Sequence, residues 1–205
     1  MNKVLIFSGS AGSGKGTVLA IARKKDPRLC LSVSMTTRAP REGEVDGREY
    51  YFTTRENFER AIAADEFLEY QEYCGNFYGT PKKQFFDILN RGQIPVLEIE
   101  TKGAYAVMDK LDDYHSVFLS PPDYETLEKR LRGRATETEE SIRNRLKTAR
   151  EEILRSVRYQ HVILNRQDRA EEAADALLDI VNTGESRSDA EVRDREAFLA
   201  SFQNK

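Results

Sequence analysis

Residues Gly9–Thr17 read GSAGSGKGT and follow directly on the apolar run Val4-Leu5-Ile6-Phe7. A loop this rich in glycine lets successive backbone N–H groups converge on one anion, and a helix opening near Lys15 adds the positive end of its dipole. Gly9, Gly14 and Lys15 stand at the spacing of the Walker A motif, whose backbone cradles the phosphates of a nucleoside triphosphate while the lysine reaches the outer ones. The order strand, loop, helix separates this reading from a plain glycine turn beside a surface lysine. The whole run of Gly9, Ser10, Ala11, Gly12, Ser13, Gly14, Lys15, Gly16 and Thr17 is therefore expected to contact a nucleoside triphosphate. One position departs from the motif: Gly16 stands where a serine or threonine hydroxyl usually meets Mg²⁺, and Thr17 comes one place later. Thr17 is the candidate metal ligand, directly or through water.

Two arginine clusters offer counter-charge for phosphates. The first is Arg38, Arg41 and Arg48 in TTRAPREGEVDGREYYF; the second is Arg130, Arg132, Arg134, Arg143 and Arg145 around KRLRGRATETEESIRNRL. Either could instead be a solvated surface laced with ion pairs, the reading preferred for Arg132. Glu98 ends the apolar stretch Pro95-Val96-Leu97, the placement of a Walker B acid that orients water around Mg²⁺.

The elements that must hold these residues come next. With 205 residues the chain suits one domain of ordinary size or a core with inserted pieces, and 39% apolar with 33% charged residues is the balance of a soluble globular protein. A formal net charge of -3 gives a nucleic-acid polymer nothing to be drawn to overall, and no apolar run is long enough to span a bilayer. The start of the chain has no signal-peptide pattern, which points to the cytoplasm. Cys30 and Cys74, like His115 and His161, are isolated in the sequence, so neither a disulfide framework nor a zinc site is expected.

Apolar strand-like runs alternate with amphipathic helix-like runs. Strands are predicted over Val4–Phe7, Leu31–Ser34, Pro95–Ile99, Val117–Leu119 and Val162–Leu164. Helices are predicted over Lys15–Lys25, Pro81–Arg91, Gly103–Lys110, Tyr124–Leu131, Glu139–Arg158 and Arg169–Val181. Between Thr36 and Phe77 the pattern turns to short aromatic pieces around a helix near Glu56–Ala64, which suggests an inserted subdomain. The polar tail from Gly184 carries one apolar patch at Phe198, Leu199 and Phe202 and reads as a mobile extension or a short docked helix.

Beyond the loop, the segments SVSMTTRAPREGEVDGREYYF, EFLEYQEYCGNFYGTP, VLEIETKGA and RLRGRATETEESIRNRL carry a specific likeness. From the first strand to about Val181 the chain resembles guanylate kinase. The resemblance implies an α/β P-loop kinase: a parallel sheet core flanked by helices, a small inserted GMP-binding α+β subdomain at about 35–80, and a helical lid at about 125–150. Residues 1–183 would form that domain and 184–205 a polar extension. It implies phosphorylation of GMP, and of dGMP, by ATP with Mg²⁺. Some nucleoside monophosphate kinases share the GKGT ending, so Gly16 does not set the chain apart from the class.

The implied acceptor site can be checked against guanine. The Watson–Crick edge of guanine offers two donors beside the O6 acceptor, and adenine offers a different arrangement, so carboxylates favour guanine. By resemblance Glu69 and Glu100 accept those donors, while Ser34 and Thr80 serve the acceptor side. The phosphate of GMP needs a fork of cations, for which Arg38 and Arg41 stand three apart, and the resemblance adds the hydroxyls of Tyr50 and Tyr78. It also makes ATP the triphosphate on the run Gly9–Thr17 and places Arg130 and Asn165 near that donor nucleotide. Because the attacking phosphate oxygen already bears charge, catalysis reduces to positioning and neutralisation, a task for Lys15, Arg41, Arg134 and Arg145. Glu98 and Glu100 each stand where aspartate occurs in some family members, and Lys102 and Arg166 stand where glutamine and an acidic residue are common.

Two other readings stay open at this stage. A scaffold module of guanylate kinase type would have lost its catalytic cations, which Lys15, Arg38, Arg41 and Arg134 argue against. A P-loop kinase for another small acceptor, such as a sugar phosphate, would not need Ser34, Glu69, Thr80 and Glu100 together. The sequence carries no signal for oligomeric state.

Overall fold

The computed structural model describes residues 4–73, 75–133 and 139–203. In chain order the elements are β1 (Val4–Gly9), α1 (Lys15–Lys25), β2 (Leu29–Leu31), β3 (Met35–Thr36), β4 (Tyr51–Phe52), α2 (Arg55–Ala63), β5 (Phe67–Tyr73), β6 (Asn76–Pro81), α3 (Lys82–Asn90), β7 (Ile94–Glu98) and α4 (Thr101–Met108). They continue as β8 (Tyr114–Ser120), α5 (Tyr124–Arg132), α6 (Glu139–Arg155), a 3₁₀ turn (Ser156–Arg158), β9 (His161–Leu164), α7 (Ala170–Thr183) and α8 (Arg195–Gln203).

The larger sheet has the order β2-β7-β1-β8-β9, with β2 parallel to β7 and β8 parallel to β9. Its strands read as apolar runs rather than alternating patterns because both faces are covered: Leu5, Ile6, Phe7, Val96, Leu97, Phe118 and Leu119 are all fully buried. This is the parallel sheet core flanked by helices that the resemblance implies, and it agrees with the alternation of strand-like and helix-like runs in the sequence.

By contacts the chain divides into two compact units, each described by itself. The first comprises residues up to Ile6 with Arg28–Tyr114. It holds β2 and β7 and a four-stranded sheet of order β4-β3-β6-β5, antiparallel except for the β3–β4 pair. Its second core stacks Phe58 of α2 on Phe67 of β5 and on Phe77 of β6, at centroid separations of 4.4 and 5.2 Å. Thr54 caps α2 by accepting from the Asn57 N–H, and the helix gives out before Asp65, which takes a left-handed φ of 55°. Strand β2 begins two residues earlier than predicted and ends at Leu31 rather than Ser34. Its register with β7 runs Leu29↔Ile94 to Leu31↔Val96, which buries Leu29, and the Ser32 N–H still donates to the Val96 carbonyl at 2.9 Å.

The second unit comprises Phe7–Pro27 with the chain from His115 onward. Here α1 packs on the alanine-rich face of α7, where Ala173, Ala174, Ala176 and Leu177 are fully buried. Asp123 caps α5 by accepting from the Thr126 N–H at 2.7 Å. Of the two expectations for the tail, the structure has the docked helix: α8 packs on α6 and buries Phe198 and Phe202.

Candidate active site

In the second unit, β1 delivers the chain into the glycine loop and α1 leaves it at Lys15. Gly14 is the N-cap, in a left-handed conformation with φ 85°, and no side chain caps the first turn of the helix. The N–H groups that a capping oxygen would take are left for a ligand. Only glycine fits this point, because a β-carbon at position 14 would lie 2.5 Å from Nδ2 of Asn165. That Asn165 amide donates to the carbonyl of Ser13 at 2.8 Å and so holds the loop from outside. Lys15 folds back over the loop, donating to the carbonyls of Gly9 and Ser10. The hydroxyls of Ser10 and Ser13 are buried without a partner.

Arg130, on α5, reaches the same loop. Its guanidinium donates to the carbonyls of Asn165 at 2.8 Å and Gly12 at 3.3 Å. Burial pulls its pKa below the ordinary arginine range, opposed by Asp123 and Asp168. Thr17 is exposed on the first turn of α1, and Arg145 is half-buried on α6. Arg132 pairs with Glu128 and Glu139 at 2.9 and 2.6 Å, as a surface residue would. Arg134 lies outside the described residues.

The first unit contains a pocket of about 300 Å³. The structure brings Ser34, Arg38, Arg41, Tyr50, Glu69, Tyr78, Glu98 and Glu100 to its walls. Antiparallel pairing sets Glu69 on β5 opposite Thr80 on β6, and the Thr80 hydroxyl donates to Oε1 of Glu69 at 2.7 Å. The other oxygen, Oε2, is buried with no partner. Burial raises the pKa of Glu69 above the ordinary glutamate value, against the lowering effect of Thr80 and Lys110. Thr80 differs from its expected place: it is fully buried behind Glu69 and is not part of the pocket wall. In this structure its single donor is spent on the carboxylate, so it orients Glu69.

In the same pocket, Arg38 stands beside the rings of Tyr50 and Phe52, at 5.4 and 5.8 Å from their centroids. Tyr50 and Tyr78 meet edge to face at 5.9 Å. Glu44 grips the Arg38 guanidinium with both oxygens, at 2.9 and 3.0 Å, and accepts from the Arg41 backbone N–H at 2.7 Å. The Arg38 bond holds Glu44 well ionised, its pKa lowered first by that guanidinium and then by the Arg41 N–H. Burial pushes the Tyr50 phenol up, helped by nearby Tyr78 and Glu98. The pocket thus combines a buried carboxylate with a group of arginines and phenols.

A family model described as guanylate kinase matches residues 1–183. A guanylate kinase of Synechococcus sp. is 43% identical over 187 residues, covering 91% of this chain and 86% of its own. One of Halalkalibacterium halodurans is 45% identical over 178 residues, covering 87% and 86%. The chain belongs to the guanylate kinase family. The crystal structure of guanylate kinase from Anaplasma phagocytophilum superposes with a TM-score of 0.72 at 31% identity, covering 100% of this chain and 97% of that one. As a member of the guanylate kinase family the protein is a nucleotide-binding transferase, an ATP-dependent kinase for GMP.

Glu44 and Gln71, which line the pocket, and Gly103, which packs on Glu69, are among the residues that the sequence did not point to. Glu44 sits in an exposed turn, closed by the Glu44 N–H on the Arg41 carbonyl, and only that fold brings it back onto Arg38. Gln71 lines the pocket two residues beyond Glu69 on the same face of β5, a position that period-two alternation could have found. Gly103, on α4, presses on Glu69 so closely that a β-carbon there would lie 2.6 Å from Oε2. The departure at Lys102 has a simple outcome, since that residue is exposed.

Proposed function

We propose that the pocket of the first unit binds GMP and the glycine loop of the second binds ATP, and that the γ-phosphoryl group passes directly to the GMP phosphate with inversion and no covalent enzyme intermediate. One observation carries the reading: a buried carboxylate, Glu69, has one oxygen fixed by Thr80 and the other without a partner, in the same pocket as the Arg38–Tyr50–Tyr78 group. The N1–H and exocyclic amine of guanine are the donors such an oxygen lacks, and in this reading Glu100, on the wall of the same pocket, takes the second. Each bond to an ionised group contributes about 1.5 to 3 kcal/mol. Adenine would leave the buried carboxylate unsatisfied. No base contact depends on the ribose 2′ position in this reading, so dGMP is accepted as well.

Arg38 carries five N–H donors, which Glu44 and the Ala39 carbonyl do not exhaust. We assign the GMP phosphate to Arg38, Arg41, Tyr50 and Tyr78. On the ATP side, the uncapped first turn of α1 and the hydroxyls of Ser10 and Ser13 receive phosphate oxygens, and Lys15 leaves its loop carbonyls for the outer phosphates. An unsatisfied buried polar group costs about 1 to 3 kcal/mol, which an oxyanion partner would relieve. Arg130 and Asn165 frame the donor nucleotide. Lys15, Arg41, Arg134 and Arg145 neutralise charge as it moves between the two phosphates, and exclusion of water protects the transfer from hydrolysis.

Magnesium belongs to this proposal as a companion of ATP. Among the described residues no group of three or more His, Cys, Asp or Glu side chains is built to hold a metal. That suits Mg²⁺, which commonly takes one or two protein oxygens and fills its shell with substrate phosphates and water. The exposed Thr17 hydroxyl and the Glu98 carboxylate are the hard oxygens that would hold it, directly or through water. Bound with ATP, it would offset negative charge on the donor phosphates. Among the described residues no helix is long and apolar enough to cross a membrane, and the cytoplasm, which supplies both nucleotides, is the compartment this reading implies.

ADP formation measured with GMP, dGMP, AMP, CMP and UMP as separate acceptors tests the proposal. Turnover with GMP and dGMP alone is expected. Turnover indifferent to the base would overturn the assignment of Glu69, and no acceptor-dependent turnover would point to a binding module.

A further inference from the structure

The chain beyond Gly184 lies outside the family match at residues 1–183, yet it is hydrogen-bonded to the strand that leads into Asn165. Helix α7 ends at Gly184, and a short loop follows that braces itself, with Ser188 N–H donating to the Ser186 hydroxyl and Ala190 N–H to the Ser188 hydroxyl. The chain then runs antiparallel along the free edge of β9. Leu164 N–H donates to the Ala190 carbonyl at 2.7 Å, Val192 N–H donates to the Val162 carbonyl at 2.9 Å, and Ile163 bridges Glu191. The pair His161–Glu191, at 2.7 Å, closes the start of the same strand.

These bonds flank one residue. Asn165 is 6% exposed and makes three separate connections: its N–H to the Ser120 carbonyl at 2.8 Å, its amide to the Ser13 carbonyl, and its own carbonyl accepting from Arg130. It joins the end of β8, the phosphate loop and α5. On one side of it the tail holds Leu164 through the Ala190 carbonyl. On the other, the Arg166 guanidinium donates to the Asp189 carbonyl at 3.0 Å. The partner of the Arg166 guanidinium is thus supplied by the tail.

We propose that Asp189–Val192, with Arg166 as its side-chain tether, is a positioning element of the ATP site. The segment fixes the residues on either side of Asn165, and Asn165 fixes the loop at Ser13 and Gly14 and the guanidinium of Arg130. This inference rests on the reading that the loop Gly9–Thr17 holds ATP.

The test uses the full chain, because removing the tail would also remove Phe198 and Phe202 and uncover the face of α6 that α8 packs on, confounding folding with binding. Variants Arg166→Ala, Arg166→Lys and Val192→Pro are titrated calorimetrically with the β,γ-imido analogue of ATP and, separately, with GMP, and their thermal unfolding is recorded without ligand. Loss of one or two such bonds should weaken the analogue about 3- to 10-fold in Arg166→Ala and Val192→Pro. Arg166→Lys, which can still donate to the carbonyl, should recover most of that loss, and GMP affinity should not change. If Val192→Pro does not fold, the Arg166 pair decides alone. Unchanged analogue affinity, equal weakening of analogue and GMP, or a lowered melting temperature with no binding change would each overturn the inference and leave the tail a structural strap. Lys15→Ala separates the two levels: if it binds the analogue as tightly as the unaltered chain, the ATP assignment of the loop fails and this inference falls with it.

Discussion

Glu69 of β5 and Gly103 of α4 are packed against each other: the glycine leaves room for the carboxylate, and a β-carbon at 103 would stand 2.6 Å from Oε2 and 3.1 Å from Cδ. The space that a methyl group would take is the space in which the unpartnered oxygen sits. A small residue on α4 thereby sets the orientation of an acid on β5.

Gly103→Ala should therefore displace the Glu69 carboxylate and raise KM for GMP about tenfold, the loss of one charge-assisted bond, with KM for ATP unchanged. Steady-state kinetics with each nucleotide varied in turn would show it. An unaltered GMP KM would mean that the carboxylate is not what recognises the base.

The pH dependence follows from the burial of Glu69. Its folded pKa is raised, so the native state binds that proton more tightly than the unfolded chain does. The contribution of Glu69 to stability consequently falls as pH rises from the ordinary glutamate value through the raised one. GMP binding runs the opposite way, because the acceptor must be ionised. KM for GMP should rise as pH falls from neutral, with a midpoint above that of an ordinary glutamate. The GMP phosphate also titrates, near pH 6, so the comparison is with Glu69→Gln, in which the part of the pH dependence due to the carboxylate should vanish.

Arg38→Lys keeps the charge and loses the fork that engages Glu44 while stacking near Tyr50. GMP affinity should drop about tenfold, as for one charge-assisted bond, and affinity for guanosine, which has no phosphate, should hold. Parallel calorimetric titrations distinguish this from general damage to the pocket.

Lys15→Ala should lower kcat far more than it raises KM for GMP, since the lysine belongs to the loop of the other unit. Rapid-quench measurement of a single turnover would place the loss in the chemical step. An unchanged single-turnover rate would remove Lys15 from the chemistry.

The parts of the site that were legible in the sequence are those set by local chemistry. The run Gly9–Thr17 announces both its loop and the start of α1, because glycine and lysine act there over a few residues. The apolar strands of the larger sheet stand out because burial on both faces leaves no polar alternation. What could not be read depends on pairing between distant residues. The register of β5 with β6 turns Thr80 toward Glu69, and a turn at Arg41–Glu44 returns Glu44 to Arg38. The start of β2 moved to Leu29 for the same reason, since its partner β7, more than sixty residues away, sets which residues pair. The tail was ambiguous because a short amphipathic helix has too little propensity of its own, and only the face of α6 decides it.

The most direct test is a set of calorimetric titrations of GMP and of AMP into the unaltered chain and into Glu69→Ala. The account predicts that GMP binds the unaltered chain well ahead of AMP, and that Glu69→Ala loses about 10- to 150-fold in GMP affinity, the worth of one bond to a buried charge, which brings the two nucleotides close together. Undiminished preference for GMP in Glu69→Ala would contradict it.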